Sequence, residues 1–186
     1  MPAATRYSRS DVQRMLEAGL FDGRRFELIE GELIDKIGQN PPHAGVIQFL
    51  LEWLADIFGV RRVRVQLSLE AAGADRDFSL PEPDLAVVAE AKAEYRSRHP
   101  RADETLLVIE VADTSLRLDT RTKRDLYARA GAPEYWVVSI PNREVIVHRG
   151  LSNGRYAQVT ALSERDTLSA ACAPERSIRV ALLFGS

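Results

Sequence analysis

The sequence predicts an α+β protein (mixed α/β): a central mixed β-sheet flanked by helices, with an N-terminal helix and β-hairpin ahead of it. Three observations predict this. Leu85 to Ala89 and Leu106 to Val111 are nearly all apolar, as central strands covered on both faces are. His43 to Phe58 and Asp119 to Gly131 read as helices able to cover them. The order Leu106–Val111, helix, Tyr135–Val138 resembles a strand–helix–strand crossover, which makes those two strands parallel.

In chain order, Ser10-Asp11-Val12-Gln13 reads as a capping box opening a short helix, and Gly19 as its stop. Arg25 to Ile34 reads as two short strands turning at Glu30-Gly31. Gln39-Asn40-Pro41-Pro42 is a loop. From His43, apolar residues at 46, 47, 50, 51, 54, 57 and 58 keep helical spacing until Gly59. Val63, Val65, Leu67 and Leu69 alternate with Arg64, Gln66 and Ser68, the pattern of a half-buried strand. Residues 71–79 form a polar connection containing Gly73, and 90–101 an exposed excursion. Asp113 to Asp119 leads into a helix capped by Asp119 or Thr120, with Leu126 and Ala130 on its buried edge and Gly131-Ala132-Pro133 at its end. Tyr135–Val138 and Glu144–His148 are strands joined at Pro141-Asn142. The apolar tail, Ile178 to Phe184, is expected to dock on the body. The expected organisation is a single domain over 1–186, with a core at about 25–150 and a C-terminal extension, 151–186.

Composition sets bounds. The 186 residues are 45% hydrophobic and 28% charged, enough for a real core in a soluble protein. No apolar run approaches the roughly 20 residues of a membrane helix, and the first residues lack a signal peptide's apolar segment. The single cysteine, Cys172, excludes an internal disulfide and a cysteine zinc site, and is read as inert. A cytoplasmic setting, without membrane attachment, is the expectation. A net charge of −2 gives no global nucleic-acid signal. Local clusters remain at Arg61/Arg62/Arg64, Arg96/Arg98/Arg101 and Arg117/Arg121/Lys123/Arg124/Arg129.

The chemistry lies in charges carried on apolar segments. Asp84 opens one run, Glu110 sits inside another, and Lys123 follows thirteen positions later on the helix. Such groups lose hydration and need partners. If the two strands are neighbours, Asp84 and Glu110 share a face at adjoining levels. Hard oxygen ligands of that kind suit Mg²⁺ or Mn²⁺, with the Val111 carbonyl as the natural third donor. A retained water then becomes the nucleophile of a hydrolysis. Lys123 and Tyr127, four apart, share a helix face, from which the ammonium would stabilise developing charge. The second reading is a purely structural Glu110–Lys123 pair without metal.

Asp84 within Pro81-Glu82-Pro83-Asp84-Leu85-Ala86-Val87-Val88 resembles the "PD" element of the PD-(D/E)xK nuclease superfamily. The block Leu107 to Ser115, with Asp119, Lys123, Tyr127, Gly131 and Glu134-Tyr135-Trp136, is similar to the Uma2 family of restriction-type endonucleases. Phe26 to Leu33 and the helix-opening His43 match the same family in the same order, so the resemblance runs from about Arg25 to Phe184. It implies a restriction-endonuclease-like core and metal-dependent hydrolysis of DNA phosphodiester bonds, with metal on Asp84 and Glu110. The superfamily's lysine two residues after the acid is absent here, because that position is Ala112, and Lys123 takes its place. Ala112-Asp113 and Ser139 also depart from the commoner family pattern.

Several residues keep two readings. Glu27 or Glu32 is a further acid near the metal or part of a solvent-facing hairpin, the latter favoured for Glu32. His43 binds phosphate or moves a proton, or merely caps a helix. Tyr127 bonds near the site or packs in the core. Arg117, Arg121 and Arg124 would contact DNA phosphates. Asp119 reads as an N-cap rather than a ligand, Glu134 as an arginine's partner, Trp136 as core, Trp53 as core or interface, and His148 as surface. Cutting both strands symmetrically favours a homodimer. The rival class is a catalytically inactive nucleic-acid-binding or structural homodimeric module, distinguished by metal binding that depends on both Asp84 and Glu110. No glycine-rich phosphate cradle supports a small phosphate-ester hydrolase.

Overall fold

Six strands make the central sheet: β3 (Val63–Val65), β4 (Leu85–Val88), β5 (Thr105–Ala112), β6 (Tyr135–Ser139), β7 (Glu144–Ser152) and β8 (Arg155–Ser163), side by side in that order. All neighbours are antiparallel except β5 and β6, the parallel pair of the crossover. This computed structural model describes residues 5–21, 23–36 and 40–185.

Alternation along the inner strands sends successive side chains to opposite faces. Leu85, Val87, Leu107, Ile109, Val111, Trp136 and Val138 face α2 (Pro41–Phe58) and the tail turn Val180–Phe184. Ala86, Val108, Ala112, Tyr135 and Val137 face the other way, where Tyr127 packs on them. Tyr127 belongs to a continuous helical segment: α3 (Leu116–Leu118), a π turn (Asp119–Lys123) and α4 (Arg124–Arg129). Both faces are covered, and this is why β4 is wholly apolar and β5 is apolar apart from Thr105 and Glu110.

A separate hairpin, β1 (Phe26–Ile29) and β2 (Glu32–Asp35), turns at Glu30-Gly31, both with positive φ (50° and 88°). Before it, α1 (Arg9–Glu17) is capped by Ser8 rather than Ser10: Ser8 Oγ accepts from Asp11 N (3.1 Å), and Ser8 N donates to the Asp11 carboxylate (2.8 Å). The helix α2 begins earlier than its apolar pattern, at Pro41, because Asn40 Oδ1 accepts from His43 N (3.0 Å) and proline suits a first turn. Gln39, assigned to the same loop, lies outside the described residues.

Other differences have local causes. The strand expected to reach Leu69 stops at Val65, because Gln66 adopts φ 50° and donates its N–H to the Asp84 carbonyl (3.0 Å). Residues 151–152 complete β7, and 155–163 add β8 across Asn153-Gly154, so the presumed extension begins inside the sheet. The tail beyond packs as expected, with Val180 and Leu183 in the α2-side core. Glu134, as expected, meets an arginine: its carboxylate accepts from Arg149 (2.7 Å), and also from Trp136 Nε1 and Ala171 N. Trp136 is core, with Trp53 stacked 6.3 Å from it. His148 is buried, not surface: it packs between Tyr135 and Tyr156, its Nδ1 3.2 Å from the Tyr135 carbonyl.

Candidate active site

The antiparallel register places Leu85 opposite Ile109. One step beyond the paired segment, Asp84 faces Glu110. Both carboxylates are buried, at 4% and 2% exposure, and both line a cavity of about 620 Å³.

Asp84 is held on both oxygens. Val111 N–H donates to Oδ2 (2.9 Å), Gln66 Nε2 donates to Oδ1 (3.2 Å), and His43 Nε2 lies 3.4 Å from Oδ2. Burial alone would push the Asp84 pKa up, but His43, Lys36 and the Val111 N–H together hold it below the usual value. His43, at the start of α2, is pulled down by burial and raised further by the Asp84 carboxylate, so its net shift is upward.

Glu110 sits one layer deeper. Its Oε1 accepts from Lys123 Nζ (3.0 Å) and Tyr127 OH (2.9 Å). Burial, reinforced by Asp119, Asp84 and Glu27 and opposed by Lys123, pushes its pKa up to about 8. Lys123 is itself buried and lies 2.6 Å from Glu27 Oε1 and 3.7 Å from Asp119 Oδ1. Burial disfavours its charge, but Glu110, Glu27 and Asp119 outweigh that and keep the ammonium protonated. The other oxygen of Glu27 accepts from Glu82 N (3.1 Å), tying the hairpin to the segment that carries Asp84.

Asp119, expected as an N-cap, joins this cluster instead. It is not a helix cap, since the helical segment starts three residues earlier and its first turn carries Ser115 as cap. Asp119 is 1% exposed inside the π turn, with Ser115 Oγ donating to Oδ2 and no hydrogen-bond partner on Oδ1. The missed signal is spacing: Asp119, Lys123 and Tyr127 follow at intervals of four and share one helix face.

Glu27, His43, Asp84, Glu110, Val111 and Lys123 therefore meet at one cavity, and Tyr127 supports it from below. Glu32 is exposed on the hairpin. Arg117, Arg121 and Arg124 are not among the residues lining the cavity; Arg117 and Arg121 are exposed, and the Arg124 guanidinium pairs with Asp125 (2.8 Å). The basic side chains at the cavity mouth are Arg25 and Lys36.

Among the described residues, no three or more acidic, histidine or cysteine side chains form a ready ligand cage. The donor set still fits a hard divalent cation. Of four buried carboxylates, three (Glu27, Glu110, Asp119) share one buried lysine while Asp84 stands apart from it, and the buried Asp119 Oδ1 has no hydrogen bond. Mg²⁺ needs few protein ligands because it keeps several waters.

Among solved structures, the fold is similar to that of a "putative nuclease belonging to DUF820" from Anabaena variabilis ATCC 29413. The TM-score is 0.65, with 15% identity over 86% of this chain and 89% of that one, a likeness of fold alone. No curated protein matches the sequence. Residues 10–181 match the sequence model of Uma2, described as "Putative restriction endonuclease", a span that includes every residue of the cluster. The chain belongs to the Uma2 family.

Proposed function

We propose that this chain is a metal-dependent endonuclease that hydrolyses DNA phosphodiester bonds. The observation that carries the reading is the placement of Asp84 directly across from Glu110, with Lys123 behind them and an open cavity in front. Asp84, Glu110 and the Val111 carbonyl would hold Mg²⁺ or Mn²⁺. Bound there, the cation supplies charge neutralisation on the phosphate and a more acidic water.

The chain's own groups do the rest. The Val111 N–H, Gln66 and His43 fix the Asp84 carboxylate, leaving little reorganisation for the reaction. Tyr127 and Lys123 fix Glu110 from below. Lys123 would hold positive charge behind Glu110, on the cavity floor beneath the reacting phosphate. His43 Nε2 faces the cavity beside Asp84, where it can hold a proton for the leaving oxygen.

A two-fold dimer suits cleavage of both strands, and β8 supports one. It is the last strand of the sheet, and residues 157–161 are exposed in succession. The run Tyr156 to Ser163 contains neither charge nor proline, the usual protections of an edge. Antiparallel pairing of two copies about Val159 sets Ala157 against Ala161 and Tyr156 against Leu162, with no like charges opposed. Among the described residues no helix is long and apolar enough to cross a membrane, and we place the protein with its DNA in the cytoplasm.

The test is incubation of supercoiled, branched and single-stranded DNA with the protein in Mg²⁺, Mn²⁺ or EDTA. Cutting that requires metal supports the reading. A protein that binds nucleic acid without cutting in any condition fits the inactive module instead.

A further inference from the structure

The open end of the hairpin carries an arrangement that stability does not explain. Phe26 pairs with Asp35, and Lys36 N donates to the Arg25 carbonyl (2.9 Å), so Arg25 and Lys36 are directly opposite. Like charges opposed across a hairpin are destabilising. Their side chains share a face with Glu27 and Ile34, and all four line the active-site cavity. One carboxylate, Glu82, serves both cations: it pairs with the Arg25 guanidinium and lies 3.9 Å from Lys36 Nζ, which also donates to the Glu82 carbonyl (2.6 Å). Two positive charges therefore meet one negative at the mouth.

Gln66 joins this pair to the catalytic carboxylates. Its backbone stands at φ 50°, a conformation that costs energy in a non-glycine residue. That turn lets its amide bridge two groups, with Nε2 donating to Asp84 (3.2 Å) and Oε1 accepting from Arg25 (3.4 Å). The guanidinium is thus registered against Asp84. The cavity floor is rich in carboxylates and repels a polyanion, so approach requires positive charge at the rim. Lys123 cannot supply it, being buried among three carboxylates. Arg25 is half-exposed and Lys36 reaches the cavity surface.

We infer that Arg25 and Lys36, registered by Gln66 and held apart by Glu82, form a subsite for a backbone phosphate next to the scissile one. This rests on the nuclease reading above and names where the nucleic-acid strand is gripped, at the β1–β2 hairpin rather than the Arg117–Arg124 helix. The grip is to phosphate and carries no base information.

The experiment is fluorescence anisotropy with a labelled DNA duplex in EDTA across a salt series, run beside plasmid cleavage in Mn²⁺. The proteins are wild type, Lys36→Gln, Arg25→Gln/Lys36→Gln, Arg25→Lys, Arg117→Gln/Arg121→Gln/Arg124→Gln, and Arg61→Gln/Arg96→Gln as a control for lost surface charge. Thermal melts establish folding. The expected result is a log K against log salt slope shallower by about 1 in the double variant, the counterion release of one phosphate, and by less than that for Lys36→Gln. Affinity at fixed salt falls on the order of tenfold or more in the double variant, and Arg25→Lys keeps the wild-type slope. The control does not change. If wild type binds and cuts while the double variant keeps its affinity and slope, or the Arg117 triple variant alone carries the loss, the subsite is overturned and the nuclease reading stands. If wild type neither binds nor cuts, both fall.

Discussion

Lys123 holds three carboxylates with a single ammonium, itself buried on the cavity floor. Removing one partner of such a network leaves buried charge uncompensated, at a cost of about 3–5 kcal/mol. Lys123→Met should therefore lower unfolding stability by that amount in urea titrations, whatever it does to activity. Glu110→Gln should behave oppositely. It removes one of four crowded carboxylates, keeps an acceptor for Tyr127, and should melt no lower than wild type in metal-free buffer while losing cleavage. A large loss of stability in Glu110→Gln would instead mark Glu110 as a structural anchor. At this scale the sequence exposes charge on apolar strands readily, because ionised groups stand out among Val, Leu and Ile. It does not show partners that meet only through space. His43 reaches Asp84 from a helix more than forty residues earlier in the chain. Asp119 was hidden by a competing local reading, since aspartate before a helix usually caps it.

At the scale of elements, turns hold the pieces in place. Gly131 ends the helical segment at φ 90°, and a Cβ there would lie 2.9 Å from Asp103 Cβ. Gly131→Ala should cost more than about 1 kcal/mol, read as a lowered denaturation midpoint at unchanged slope. The excursion before β5 is pinned by Glu104, whose carboxylate accepts from Arg98 (2.7 and 2.8 Å), Lys92 (2.9 Å) and Arg101 N (2.9 Å). Arg98 foremost holds its pKa well below the ordinary 4.5, against the opposing effect of burial. Its contribution to stability is thus complete above pH 4.5 and fades as the pH falls below that. Glu104→Gln should melt below wild type at pH 7, with the gap closing toward pH 3. Helices and central strands were legible from periodicity, the crossover from element order. For the hairpin β7–β8 the sequence carries one strong signal, the two-residue turn Asn153-Gly154, both at positive φ (49° and 68°). The exposed, weakly alternating β8 gave no apolar pattern to set beside it.

For the whole molecule, the sheet serves to bring the ends of β4 and β5 together under a hairpin and the start of α2, and the cavity forms where they meet. The mixed sheet was predictable because apolar runs demand cover on both faces. The hairpin's position over the site was not, since contacts distant in sequence fix it there, among them Glu27–Glu82, Glu27–Lys123 and the Leu28–Leu80 bridge. The exposed edge of β8 leads to a prediction about assembly. Light scattering should show a dimer whose dissociation is promoted by Val159→Lys, a charge set on the two-fold axis. A wild-type monomer at high concentration would remove this edge from the account.

The proposed chemistry requires Asp84 and Glu110 to bind one cation. Calorimetric titration of Mn²⁺ into wild type, Asp84→Asn and Glu110→Gln, each shown to be folded, tests it directly. The prediction is saturable binding in wild type that is lost in both variants. Equal binding in all three, or none in wild type, would contradict it.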